Sequence, residues 1–162
     1  MLREPFDIDQ LMYCSLAAQP MSEEDINAIV QKAQVTNPGA RITGTLMVHE
    51  GVFIQWIEGP RYAVDTLWRK LLKDSRHHCI VKLLVNKDMH ERAFAGWTMK
   101  RVSRDEMLCM VEEARNLALL HTPTPWAPAI DALLTLLKST EPREQVVQMN
   151  AAGIDTKSDL DG

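Results

Sequence analysis

The sequence contains only three cysteines in 162 residues, Cys14, Cys79 and Cys109. Their number is odd, they lie far apart and none belongs to a CxxC pair, so a disulfide framework is disfavoured and a reducing compartment is favoured. A zinc site at His77-His78-Cys79 is also disfavoured, because adjacent residues of a strand point to opposite faces of the sheet. We therefore expect a cytoplasmic protein without a metal centre.

Long hydrophobic runs and an excess of either charge sign are missing as well. No stretch approaches the roughly 18 apolar residues that a membrane span requires, and the N-terminus carries no apolar leader segment. The 18 Lys and Arg residues are interspersed with 22 Asp and Glu residues, for a net charge of −4. Neither a nucleic-acid-binding surface nor attachment to a membrane is expected from such a chain. Its length allows one domain with a substantial core and appendages.

Alternating β-prone and amphipathic segments predict an α+β fold. We expect strands at 8–17, 42–49, 52–57, 78–88 and 94–103, and helices that begin at Ser22 and Pro60. This βαββαββ order is typical of a ferredoxin-like sandwich, in which both helices lie on one face of the sheet.

Turn residues set the expected limits of these elements. Glu50-Gly51 separates two β-rich runs and predicts a tight hairpin, because glycine adopts positive φ without strain. Asn37-Pro38-Gly39 is expected to stop the first helix, and the second is expected to end near Asp74.

The second half of the chain supplies a cover for the other sheet face. The capping box at 103–106 predicts an amphipathic helix, and a second one is expected after the proline-rich break at 122–125. We therefore divide the chain into an α+β domain at 1–103, a helical cap at 104–138 and a polar, disordered tail at 139–162.

Gln55 is the anomaly of the third strand, since every other residue of 52–57 is apolar. An unpartnered buried amide costs about 1–3 kcal/mol, so Gln55 needs hydrogen-bonding partners from the protein or from a ligand. The predicted topology brings Tyr13 of the first strand beside Gln55, close to Asn37. With Ile29 and Phe53 as apolar walls, this set suits a flat heteroaromatic ring, although Tyr, Gln and Asn in a small domain are more often ordinary buried hydrogen-bonding residues.

Five ordered segments add a resemblance to a known family: 13–15, 37–44, 53–60, 74–77 and 94–99. In order and in spacing, over about residues 8 to 103, they resemble BLUF domains, the blue-light sensors that use FAD. The resemblance implies that a flavin lies between the two helices; FAD is expected, with FMN or riboflavin as the alternatives.

The resemblance also implies roles for individual residues. Tyr13 matches the redox-active phenol, Gln55 the switching amide and Asn37 the ligand of the flavin carbonyl edge. Ile29 and Phe53 match apolar wall positions, and Arg76 and His77 match the pair that lies near the cofactor. Trp97 and Met99 match the fifth-strand pair around the glutamine. We count these two, together with Ser15 and Trp56, as coupled to the switch. Thr36 and the bulky Trp56 depart from the usual pattern.

Trp56 is further expected to carry the output. Strand alternation places it on the face opposite Gln55, where the C-terminal helices should lie, although an inert core position is the alternative.

A blue-light photoreceptor is therefore the expected function, with electron and proton transfer from Tyr13 and rearrangement of Gln55. The protein is not expected to be an enzyme, because thermal reversal of the switch involves no turnover. Since too little chain follows the sensor for an output domain, the signal should pass to a partner protein or through a homo-oligomer. The alternatives are a flavin-free interaction module and an acylphosphatase-like hydrolase using Arg76 and Asn37. Both would be colourless.

Overall fold

The computed structural model describes residues 7–121 and positions 131, 134, 135 and 138. The elements are β1 (Ile8–Ala17), α1 (Glu23–Ala40), β2 (Thr43–His49), β3 (Val52–Pro60), α2 (Arg61–Leu72), β4 (His77–Met89), β5 (Lys100–Arg101) and α3 (Arg104–His121). The sheet order is β4-β1-β3-β2-β5, antiparallel except for β5 beside β2. The predicted α+β, ferredoxin-like class is confirmed.

Two apolar clusters lie on opposite faces of the sheet. One joins residues such as Leu46 and Ile57 to the inner sides of α1 and α2. The other joins Ile54 and its neighbours to Met107 and Val111 of α3. The first C-terminal helix thus covers the second face, as predicted, and it begins with the expected Ser103–Glu106 capping box.

The second predicted C-terminal helix and the tail lie largely outside the described residues. Positions 131, 134, 135 and 138 are helical, and Leu134 is buried in the cluster beneath α3. The divisions at 103 and 138 stay predictions. In the segments that the structure describes, no helix is long and apolar enough to cross a bilayer.

The hairpin between β2 and β3 turns at the predicted pair. Glu50 has a φ of 47° and Gly51 a φ of 79°, the pair of positive values that a two-residue type I′ turn requires. This turn fixes the strand register, so that Leu46 lies opposite Gln55.

The predicted stop of the first helix is wrong. Pro38 lies inside α1, which ends only where Arg41 adopts the left-handed conformation and donates its N–H to the carbonyl oxygens of Asn37 and Pro38. A proline removes one backbone donor, and here it does so within the last turn, leaving the rest of the helix intact. Asn37 therefore belongs to the helix, and its side chain is oriented by it.

The fifth strand is much shorter than the expected 94–103. Only Lys100 and Arg101 pair with β2. The preceding residues form turns, because the backbone N–H groups of Ala93 and Phe94 are bound by the Glu58 carboxylate instead of a neighbouring strand.

The register of the outer strand β4 against β1 shifts at three points, two of which carry a left-handed residue. Cys79 (φ 52°) and Asp88 (φ 56°) have left-handed backbone conformations, and both lie at shifts in the register between β4 and β1. Such positions are typical of β-bulges. The Asp88 bulge is held by its N–H, which donates to Asp9 Oδ1 at 3.2 Å.

Candidate functional site

A cavity of about 320 Å³ lies between α1 and α2 above the sheet. Its walls are mainly apolar, and its lining includes Ile29, Ala33, Leu46, Phe53, Leu67, Leu71 and Met99. Tyr13, Asn37 and Gln55 line it from the sheet and from α1, and further polar and charged residues also belong to the lining. Apolar walls combined with polar groups that can orient a ligand are the usual composition of a small-molecule site.

Tyr13 and Gln55 form the centre of this site. They are direct neighbours across β1 and β3, with exposures of only 2% and 8%. The Tyr13 hydroxyl donates to Gln55 Oε1 at 2.5 Å, and Gln55 Nε2 has one partner among the described residues, the Met99 thioether at 3.8 Å. Sulfur is a weak acceptor, so the Gln55 amide retains donor capacity within the cavity wall.

Burial governs the ionisation of Tyr13. Desolvation raises its pKa well above the ordinary value of 10.0, the nearby Asp74 carboxylate raises it further, and the Arg76 guanidinium partly opposes both. The phenol therefore remains protonated throughout the neutral range, and its proton is available to the Gln55 carbonyl.

This protonation can be tested in Tyr62→Phe, which leaves Tyr13 as the only tyrosine of the chain. We expect no tyrosinate absorbance in the folded protein as pH rises through 10.0, the ordinary tyrosine pKa. The folded state then binds a proton that the unfolded state has lost, so stability should fall as pH rises above 10.0. In Tyr13→Phe this part of the fall should be absent. Tyrosinate formation in folded Tyr62→Phe below that pH would contradict the assignment.

Asn37 and Gln34 attach α1 to the segment before β5. Asn37 Nδ2 donates to the Thr98 carbonyl oxygen at 2.5 Å, and Gln34 Nε2 donates to the Met99 carbonyl oxygen at 2.9 Å. Sequence reasoning missed Gln34. Its spacing of three residues from Asn37, which places both on one helix face, was the available signal.

Arg76 and His77 also line the cavity. Arg76 forms a multiple hydrogen bond with the Asp74 carboxylate, which lowers the pKa of Asp74 to about 2. His77 Nε2 lies 2.8 Å from the Leu71 carbonyl oxygen and must donate to it, so in neutral His77 the Nδ1 atom accepts from the Ser15 hydroxyl at 2.7 Å.

The cavity lining also includes two lysines that sequence reasoning missed. Lys32 of α1 and Lys70 of α2 line the cavity together with Arg76. Each lies three residues after an apolar lining residue, Ile29 or Leu67, and this helical spacing was the available signal. Arg76 is paired with Asp74, so the two lysines leave the lining with positive charge that suits an anionic ligand tail.

Trp97 is not brought into the cavity. It stacks on Phe94 with ring centroids 5.2 Å apart, and the Lys100 ammonium lies 4.2 Å from its ring centroid. Met99, which is 2% exposed, occupies the place beside Gln55.

Trp56 lies on the face opposite the cavity, as strand alternation predicts. It packs against the cluster that includes α3. Its ring meets Phe94 edge-on at 5.8 Å, and its Nε1 donates to Glu58 Oε2 at 3.2 Å. Its role in output stays a prediction.

A family model described as sensors of blue-light using FAD matches residues 8–100, which is more than half of the chain. The chain belongs to the BLUF family. The solved structure of BlrB, a BLUF protein in its dark state, is 32% identical in sequence and aligns with a TM-score of 0.59. The alignment covers 76% of this chain and 91% of the BlrB chain. The alignment with BlsA in its photo-activated state covers 93% of this chain and 99% of the BlsA chain, at 24% identity and a TM-score of 0.58. At this identity the similarity shows the fold alone.

Curated relatives place the BLUF domain within longer proteins. The photoactivated adenylate cyclase subunit beta of Euglena longa is 39% identical over 99 residues, which are 60% of this chain and 11% of that protein. Subunit alpha of Euglena gracilis is 36% identical over 98 residues, again 60% of this chain and 10% of that protein. The chain thus spans about a tenth of these relatives. Their similarity to it concerns the BLUF domain, which is a photosensor module and not itself catalytic.

Proposed function

We propose that Tyr13, Gln55 and Asn37 are the flavin-contacting and switching residues of this blue-light sensor. The observation that carries the proposal is the 2.5 Å hydrogen bond from the Tyr13 phenol to Gln55 within the cavity wall. The lining fits FAD, the cofactor of the family. The incompletely partnered Gln55 amide suits a ring carbonyl, and the lining lysines Lys32 and Lys70 suit the phosphates.

Tyr13 acts in this proposal as the donor of an electron and a proton. Bound flavin supplies the absorption of blue light and an excited state that accepts an electron from tyrosine. When the phenol is oxidised, its acidity rises sharply, and its proton moves along the existing hydrogen bond to Gln55 Oε1. Return of the electron and the proton restores Tyr13, so the protein undergoes no net chemical change.

Gln55 is the group that stays changed after the electron and the proton have returned to Tyr13. Once protonated on Oε1, the amide can return rotated or as its other tautomer, with donor and acceptor exchanged. Giving up the 3.8 Å contact to the Met99 sulfur costs little, because a thioether is a weak acceptor. The result is a rearranged hydrogen-bond network that relaxes thermally, which supports a signalling role without turnover.

We propose that the signal leaves the domain on the side of α3, through Trp56, toward a downstream cytoplasmic protein or a second copy of the chain. Gln55 and Trp56 are adjacent in β3 and lie on opposite sheet faces, so a local shift of this strand reaches both apolar clusters. Packed interfaces respond to such shifts by changing arrangement as a unit.

Colour and illumination test the proposal directly. The purified chain, supplied with FAD, should be yellow, and blue light should shift its flavin absorption to longer wavelength, with recovery in the dark. A folded protein that stays colourless with added FAD would contradict the site. It would instead support the flavin-free interaction module or the hydrolase.

Asn37→Ala should weaken flavin retention by about tenfold, since a buried hydrogen-bonding side chain contributes about 1–2 kcal/mol. Asn27→Ala is the matched control, because Asn27 is exposed on the same helix and contacts Arg101 instead of the cavity. Flavin release during dialysis measures the effect. Equal retention in both variants would remove Asn37 from the site.

A further inference from the structure

Glu58 is fully buried on the sheet face opposite the cavity. Its carboxylate accepts five hydrogen bonds. The donors to Oε2 are Gln10 Nε2 (3.1 Å), Trp56 Nε1 (3.2 Å) and Ala93 N (2.9 Å), and the donors to Oε1 are Thr43 Oγ1 (3.0 Å) and Phe94 N (2.7 Å). Such a concentration of donors on one buried side chain requires an acceptor-only group.

The carboxylate is the centre of a polar row that crosses four strands. Asn86 Nδ2 of β4 donates to Gln10 Oε1 at 3.0 Å, and Gln10 in turn contacts Glu58. On the other side, Arg92 Nη1 donates to Thr43 Oγ1 at 3.0 Å and to the Glu58 backbone carbonyl oxygen at 3.3 Å. Glu58 and its neighbours therefore hold residues 92, 93 and 94 in succession.

This anchored segment leads directly to the cavity. Trp97 N donates to the Phe94 carbonyl oxygen at 3.0 Å, and the Trp97 carbonyl oxygen accepts from Gly44 N of β2 at 2.9 Å. The next two residues provide the Thr98 carbonyl oxygen that Asn37 binds and the Met99 thioether that Gln55 contacts.

We propose that Glu58 is a positioning residue of the photoswitch. From the far side of the sheet it fixes residues 92–97 and so sets Thr98 and Met99 against Asn37 and Gln55. The inference rests on the proposed function of Tyr13 and Gln55, and it adds that the resting state of the amide depends on a carboxylate that never enters the cavity.

Glutamine cannot reproduce this arrangement. Each carboxylate oxygen receives at least one backbone N–H, from Ala93 at Oε2 or from Phe94 at Oε1. In either orientation, the amide nitrogen of a glutamine would face one of these donors and leave it without an acceptor. Glu58→Gln therefore preserves the size of the side chain while it releases the segment.

The experiment compares Glu58→Gln with Glu112→Gln and wild type in the full chain loaded with FAD. Glu112 is the matched control, because it lies on α3 and pairs with Lys138, away from the anchored segment. In Glu58→Gln we expect flavin binding and the light-induced shift to persist. Because Thr98 and Met99 are then held less firmly against Asn37 and Gln55, return to the resting arrangement should be slower, and the lit state should last at least about threefold longer. The dark absorption maximum should move, and the amides of Ala93 and Phe94 should exchange faster.

Each outcome decides the proposal. A lit-state lifetime that is shorter, or within about twofold of wild type, overturns it, as does an equal lengthening in Glu112→Gln. If Glu58→Gln fails to fold, Thr43→Val takes its place, since it removes one donor to Glu58 and one acceptor of Arg92 and should lengthen the lifetime in the same sense. A wild-type chain that binds FAD without any light-induced shift refutes the proposed function itself, whereas a normal wild type with an unaltered variant refutes only the role of Glu58.

Discussion

Tyr13→Phe is expected to fold and bind flavin, but its yield of the light-shifted state should fall by about 100-fold or more. This is the scale of the contribution that a positioned proton-transfer group makes. Phenylalanine keeps the aromatic ring that packs edge-on against Trp68 at 5.4 Å. It removes the hydroxyl that donates to Gln55, and with it the only proton at that position. The yield of the shifted state per absorbed photon measures the effect.

Tyr62→Phe is the matched control for this result. Tyr62 is the other tyrosine of the chain and is 68% exposed on α2, so the same substitution there should leave the shift unchanged. A wild-type yield in Tyr13→Phe would show that another group supplies the electron and the proton.

Gln55→Leu should abolish the reversible shift while flavin binding persists. Leucine fills similar space, but it offers no acceptor to Tyr13 and no donor to the cavity. The buried Tyr13 hydroxyl then lacks its partner, so the variant should also lose about 1–3 kcal/mol of unfolding free energy. Difference spectra before and after illumination and a urea titration measure the two effects.

The control for this substitution is Gln31→Leu, at an exposed position on α1. It should retain both the shift and the stability of wild type. Persistence of a reversible shift in Gln55→Leu would mean that the hydrogen-bond change occurs elsewhere in the site.

The centre of the site was predictable from the sequence because strand geometry constrains it tightly. The alternation of residues in β1 and β3 and the ferredoxin-like strand order together place Tyr13 next to Gln55. Asn37 was expected at the end of the helix that carries Ile29, which was near enough to place it beside the site, although the helix continues to Ala40. These relations need only the type and order of the elements.

The course of the chain after β4 was not predictable in the same way. Residues 94–103 contain several β-prone side chains, but the backbone N–H groups of Ala93 and Phe94 are bound by Glu58, which is distant in sequence. A long-range partner of this kind overrides local propensity. The end of α1 was also not predictable from local signals. Pro38 is tolerated inside the last turn of this helix, where few backbone hydrogen bonds remain to be lost.

The bulges in β4 have a consequence for how copies of this protein can associate. An outer strand presents unpaired backbone groups that another chain can extend into a continuous sheet, and this is a common route to aggregation. The left-handed residues Cys79 and Asp88 interrupt the regular spacing of those groups near both ends of the strand. Lys82 and Lys87 add charge between them. Edge-to-edge pairing through β4 is therefore disfavoured, so an assembly of this chain would need to use other surfaces.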